Sequence, residues 1–150
     1  MIQRIQSVYL LVVTILLIVC MCTPVGAYIA EDYSVSKFTN LCIVSADGVK
    51  DYAPWAMFVI LVVAALLSFT TIFMFKKRML QIRMTIFSTI LLVGYYATLI
   101  TFIFMLKDDS MTFSASWTLC LPFVPIILNW LAIRAIGKDE VLVKAYDRLR

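Results

Sequence analysis

Histidine is missing from all 150 residues, and with it go the commonest general base and the commonest protein metal ligand. Histidine-dependent triads, zincin helices and histidine-based metal centres are thereby excluded. Charge is also scarce. Only 15% of residues are charged and 63% are hydrophobic, whereas soluble domains carry about a quarter charged and about half apolar residues. The acids avoid the long apolar runs, and proton relays and ion-driven transporters are built around acids that do not. Cysteine amounts to Cys20, Cys22, Cys42 and Cys120. Only Cys42 lies in a polar stretch, so the four do not form a disulfide framework. Cys20-Met21-Cys22 is one residue short of a redox pair and sits in an apolar run, where packed or lipid-facing thiols are expected. No catalytic, cofactor-binding or metal-binding constellation is present, and the chain is not expected to be an enzyme.

What is present is a set of four apolar runs, each long enough for a helix to cross the roughly 30 Å hydrocarbon core of a bilayer. They predict an all-α membrane protein: a single domain over 1–150, a four-transmembrane-helix bundle with spans at about 5–27, 54–75, 84–106 and 117–136. The first run also reads as a signal peptide, with Val25-Gly26-Ala27 as small residues before a cut at Tyr28. Its length with flanks favours a retained span. Between spans one and two the composition turns acidic and polar. Phe38 to Ser45 is rich in β-formers, Asp47-Gly48 is a type I′ turn pair, and Val49 to Tyr52 supplies a return strand. A small extracytoplasmic β-hairpin follows. Met111 to Ala115 is a further candidate strand for that hairpin.

The stretch Lys76 to Arg83 carries Lys76, Lys77, Arg78 and Arg83 with no acid, and a short loop of this kind stays cytoplasmic. With both termini on the same side as this turn, ten cations, from Arg4 to Arg150, oppose three, Lys37, Lys50 and Lys107. Six of the nine acids fall on the side of those three. The net charge of +4 therefore points to anionic headgroups on the cytoplasmic side rather than to nucleic acid, because the cations adjoin apolar runs and lack interleaved stacking aromatics.

Within the spans, small residues recur at helical spacing: Ala64, Ala65, Ser68 and Thr71 in the second, Gly94, Ala97, Thr98 and Thr101 in the third. Such faces allow close helix packing. Thr14, Ser68 and Asn129 fall at similar depth, roughly 10 Å from the cytoplasmic ends at about 1.5 Å per residue. They are the candidate interhelical polar layer. Pro122 and Pro125 fall in the outer half of the fourth span, where a kink is expected. Beyond Gly137 the tail 138–150 is amphipathic, with Leu142, Tyr146 and Leu149 on its apolar side. Gly137 lets it leave the axis of the fourth span. The expected contacts to lipid or partner are thus Lys76, Lys77, Arg78, Arg83, Leu142, Tyr146 and Leu149.

Three stretches together resemble a known family: the opening Met-Ile-Gln-Arg-Ile-Gln, the central Phe-Lys-Lys-Arg-x-Leu-Gln-Ile-Arg, and the closing Leu-Ala-Ile-Arg-x-Ile-x-Lys-Asp-Glu with Asp-Arg-Leu-Arg. The chain is similar along its whole length to a bacterial family of small four-span membrane proteins known as a domain of unknown function, number forty-two ninety-three. The resemblance implies a four-helix protein of the bacterial inner membrane with cytoplasmic termini, and it implies no activity. The expected role is a non-catalytic accessory, assembly or scaffold protein that packs against other membrane proteins or itself. The alternative is a small permease or channel acting as an oligomer.

Overall fold

The computed structural model describes residues 2–31, 33–74, 77–106 and 111–148. Helix α1 spans Ile2–Cys22, followed by strands β1 (Pro24–Ala30), β2 (Val35–Thr39), β3 (Ile43–Val44) and β4 (Lys50–Asp51). Helices α2 (Trp55–Phe73) and α3 (Arg78–Met105) come next, then β5 (Met111–Ala115), a 3-10 turn over Trp117–Cys120, and α4 (Phe123–Arg148). Each helix packs against its neighbours in chain order, and α4 closes the ring on α1. All four are long and apolar enough to cross a membrane.

The bundle is more polar inside than outside. On α1 the inward stripe is Gln6, Leu10, Val13, Thr14, Leu17 and Cys20, spaced by three and four residues, while Ile5, Val8, Leu11, Ile15 and Ile18 are about half exposed. On α3 the inward set is Gln81, Thr85, Ser88, Leu92, Tyr95 and Leu99, with Phe87, Ile90 and Val93 outside. Outer faces of this kind suit hydrocarbon, and small hydroxyl residues inside let the backbones approach.

Several boundaries differ from the sequence expectation. The first span ends at Cys22 and does not reach residue 27. Pro24 has no amide to continue the ladder, and Thr23 closes the last turn by bonding the Cys20 carbonyl through both its amide and its hydroxyl. Pro24–Ala30 then forms β1, a strand the sequence reading missed. The small residues that resemble a cleavage motif sit in that strand, where Gly26 lies beneath the Phe113 ring. The third helix begins inside the basic stretch, at Arg78. The fourth begins at Phe123, so Pro122 precedes it and Pro125 lies in its first turn, where helix amides have no intrahelical acceptor and a missing donor costs nothing. No kink is needed. Gly137 is no break either, because α4 runs through it to Arg148.

The hairpin is likewise part of something larger, a five-stranded antiparallel sheet in the order β4-β3-β2-β1-β5. The turn at Asp47-Gly48 joins β3 to β4, with Gly48 at φ +79°. Phe38 to Ser45 is two strands separated by a turn in which Thr39 and Cys42 bond each other. β5 joins the sheet on β1, on the side away from the hairpin. Tyr28, Phe38 and Phe113, one from each of β1, β2 and β5, meet with ring centroids 5.1–6.3 Å apart, Phe38 edge to face with the other two and Tyr28 tilted against Phe113. Burial pushes the Tyr28 phenol above its ordinary pKa range. Phe38, Tyr28, Val25 and Ile43 continue the core of the helices, so the sheet closes one end of the bundle.

Candidate functional site

The interior polar side chains form a column along the bundle. At the end away from the sheet, Gln6 of α1 donates its amide to the Asp139 carboxylate of α4 at 2.5 Å. Arg78, at the start of α3, donates to the Asp139 backbone carbonyl at 3.1 Å. Asp139 reaches the interior because α4 is continuous. Pro125, Asn129, Ala132, Ile136 and Asp139 recur every three or four residues and are all buried. Close by, Gln81 donates to the carbonyl of Thr71 in the last turn of α2, which also accepts the amide of Met74. Thr85 bonds the carbonyl of Gln81 in turn.

Further in, the Ser68 and Ser88 hydroxyls pair at 3.3 Å and join α2 to α3. Thr14, Ser68 and Asn129 are all buried, but their bonds go elsewhere than to one another. Thr14 bonds the Leu10 carbonyl one turn back on its own helix. Ser68 has Ser88. The Asn129 amide, at 0% exposure, has no bond partner at either its nitrogen or its oxygen.

Towards the sheet the column is interrupted by Leu17, Leu61 and Leu92, all at 0% exposure. Beyond them stands a separate polar lock. Asn40, from the turn after β2, donates to the carbonyl of Cys20 at 2.7 Å and accepts from the Tyr95 hydroxyl at 2.6 Å. That carbonyl is among the last of α1, so a side chain from the sheet satisfies the helix end. Tyr96 reaches the carbonyl of Leu119 at 3.0 Å. The neighbouring tyrosines thus tie α3 to both connections at the sheet end.

Of the expected lipid or partner contacts, Lys77 and Arg83 are exposed. Arg78 is turned towards Asp139. Leu142 is 58% exposed between the exposed Val141 and Val143. Lys76 and Leu149 lie outside the described residues, as does the side chain of Tyr146.

The sequence reading missed Gln6, Asp139, Gln81 and Asn40. Asp139 was legible in principle, since the inward period of α4 reaches it once the helix is carried through Gly137. Gln6 and Gln81 carry no signal beyond an amide near a helix start, and Asn40 none beyond an amide in a turn.

The family model described as "Domain of unknown function (DUF4293)" matches residues 2–149. The chain belongs to this family. No curated protein matches it. The DUF4293 match takes in all four helices and the whole sheet, so the Gln6–Asp139 contact and the Asn40 lock both lie within the family's own span.

Proposed function

We propose that this DUF4293 protein is a multi-pass protein of the bacterial inner membrane, with both termini cytoplasmic, that acts as a non-catalytic accessory or assembly scaffold for other membrane proteins. The observation that supports it most is how the interior polar groups are used. Gln6, Arg78, Gln81 and Ser68 join one helix to another or cap a helix end, and the layer at Leu17, Leu61 and Leu92 separates them from the sheet end. A protein built this way is organised to hold a shape. Its outward helix faces, its sheet and its exposed 141–143 stretch are left to meet lipid and neighbours.

The orientation rests on the excess of cations around the α2–α3 turn and the termini. In a cysteine-free background, position 47 should react with an impermeant thiol reagent in outer-permeabilised cells and position 77 should not. The reverse pattern would invert the topology. The scaffold reading is tested by mass spectrometry of proteins co-purified from native membranes, where a reproducible membrane-protein partner is the expected result. The second reading, a small permease or channel acting as an oligomer, draws on Asn129, whose two polar atoms are buried and unbonded. Solute or ion flux in reconstituted vesicles of the pure protein would favour it over the scaffold.

A further inference from the structure

A groove of about 490 Å³ runs between α1 and α4 on the side of the bundle, at the end away from the sheet. Ile5 and Tyr9 line one wall, and Leu131, Arg134, Ala135 and Lys138 line the other. Its floor is apolar and open, as an acyl chain requires. Arg134 and Lys138 are exposed and lie four residues apart, so they share one face of α4, where like charges repel. Asp139 also borders the groove, but it is buried and its Oδ2 is engaged by Gln6. The guanidinium of Arg134 stands 5.6 Å from the centroid of the Trp130 ring, and Trp130 is itself 57% exposed.

Depth sharpens the argument. Lys138 adjoins the Gln6–Asp139 contact at the end of the bundle away from the sheet, and Arg134 lies one helical turn, about 6 Å, nearer the sheet. In the membrane reading Lys138 is thus at the headgroup level and Arg134 just inside the edge of the hydrocarbon core. There it is costly unless it reaches the interface or meets an anion. Trp130 supports the guanidinium from one side while Arg134 lines the groove, and an anion placed between Arg134 and Lys138 relieves their mutual repulsion. A headgroup phosphate supplies that anion, and its acyl chain, running towards the sheet end, supplies apolar cover for Tyr9, Leu131 and Ala135. Basic pockets between spans on the cytoplasmic side take anionic headgroups in this way.

We propose that the α1–α4 groove is a binding site for one anionic phospholipid of the inner leaflet, its phosphate held by Arg134 and Lys138 and its chain laid against Tyr9, Leu131 and Ala135. This deepens the membrane reading above and rests on it.

The test uses full-length protein carrying Trp55→Phe and Trp117→Phe, which leaves Trp130 as the single tryptophan. It is reconstituted in vesicles of phosphatidylcholine and phosphatidylglycerol at one fixed ratio, with an increasing fraction of one lipid or the other carrying brominated chains. Brominated phosphatidylglycerol should quench Trp130 at a mole fraction at least fivefold lower, since one cation near the surface contributes about fivefold. Arg134→Gln with Lys138→Gln should remove the preference, and Lys77→Gln with Arg83→Gln should keep it. Equal quenching by both lipids in the parent protein overturns the site while leaving the membrane reading intact. Quenching by neither overturns both. A preference that survives Arg134→Gln with Lys138→Gln, or that is lost with Lys77→Gln and Arg83→Gln, overturns the assignment to this groove.

Discussion

Gln6 and Asp139, 133 residues apart in the chain, meet in the interior of the bundle, the amide of one donating to the carboxylate of the other. Both are nearly inaccessible, at 4% and 6% exposure. A buried carboxylate that loses a donor keeps the cost of its desolvation. Gln6→Leu should therefore lower stability by about 1.5–3 kcal/mol, the range for hydrogen bonds to charged groups. Asp139→Asn, which leaves Gln6 a neutral acceptor, should cost less. Thermal unfolding in detergent measures both, and an unchanged midpoint for Gln6→Leu would show that the contact does not hold the helices.

Asn129→Leu should stabilise the protein. The substitution keeps the number and branching of the side-chain heavy atoms, and it removes two buried polar atoms that have no partner, a condition that costs about 1–3 kcal/mol. The layer expected from the sequence gave the opposite sign, because it paired Asn129 with Thr14 and Ser68. The same unfolding assay decides between them, and a lowered midpoint would return the argument to a bonded Asn129.

Tyr95→Phe and Asn40→Ala should each destabilise the sheet end, since each leaves a buried polar atom of the Tyr95–Asn40–Cys20 chain without its bond. Each should cost about 1–3 kcal/mol. The pair should fall short of additivity by about 0.5–3 kcal/mol, as neighbours in one network do. Strict additivity in the double variant would mean that the two side chains act independently.

Gly26→Ala should loosen the sheet. A Cβ at this position stands 2.7 Å from the Phe113 ring and 2.8 Å from the Ser114 carbonyl oxygen. Inserting it forces β1 and β5 apart at a cost of about 1–3 kcal/mol. Phe113→Leu should rescue only part of that loss, because the backbone oxygen remains. Faster proteolysis of residues 24–52 in the folded protein reports it, and an unaltered digestion pattern counts against the close fit.

The four long helices were legible because their signal is compositional: apolar runs long enough to cross a membrane, divided by polar or charged stretches. The Asp47-Gly48 hairpin was legible because its turn chemistry is local. β1 was hidden for the opposite reason, since Val25 to Ala30 is apolar and merges with the run before it, and only Pro24 marks the change. The partner of β5 was hidden too, because Met111 to Ala115 could pair with any open edge. Among interior residues, Thr14, Ser68 and Asn129 were found as polar side chains within apolar runs. Asp139 was assigned to a solvated face because the helix was taken to end at Gly137. Where their bonds run depends on which helix faces meet, and helical period alone does not determine that.

β1 lies between β2 and β5, and Ile29 bonds Thr112 across a separation of 83 residues. A ribosome adding about 5–20 residues per second needs about 4–17 s to cover that distance. For that interval the nascent chain holds α1, α2 and a four-stranded sheet with β1 as a bare edge, open to any passing strand. Only β5, in the connection between α3 and α4, can cover it. The main-chain seam between β1 and β5 thus works as a latch: it joins the first helical hairpin to the second, and it cannot close until the chain leading into α4 has been delivered.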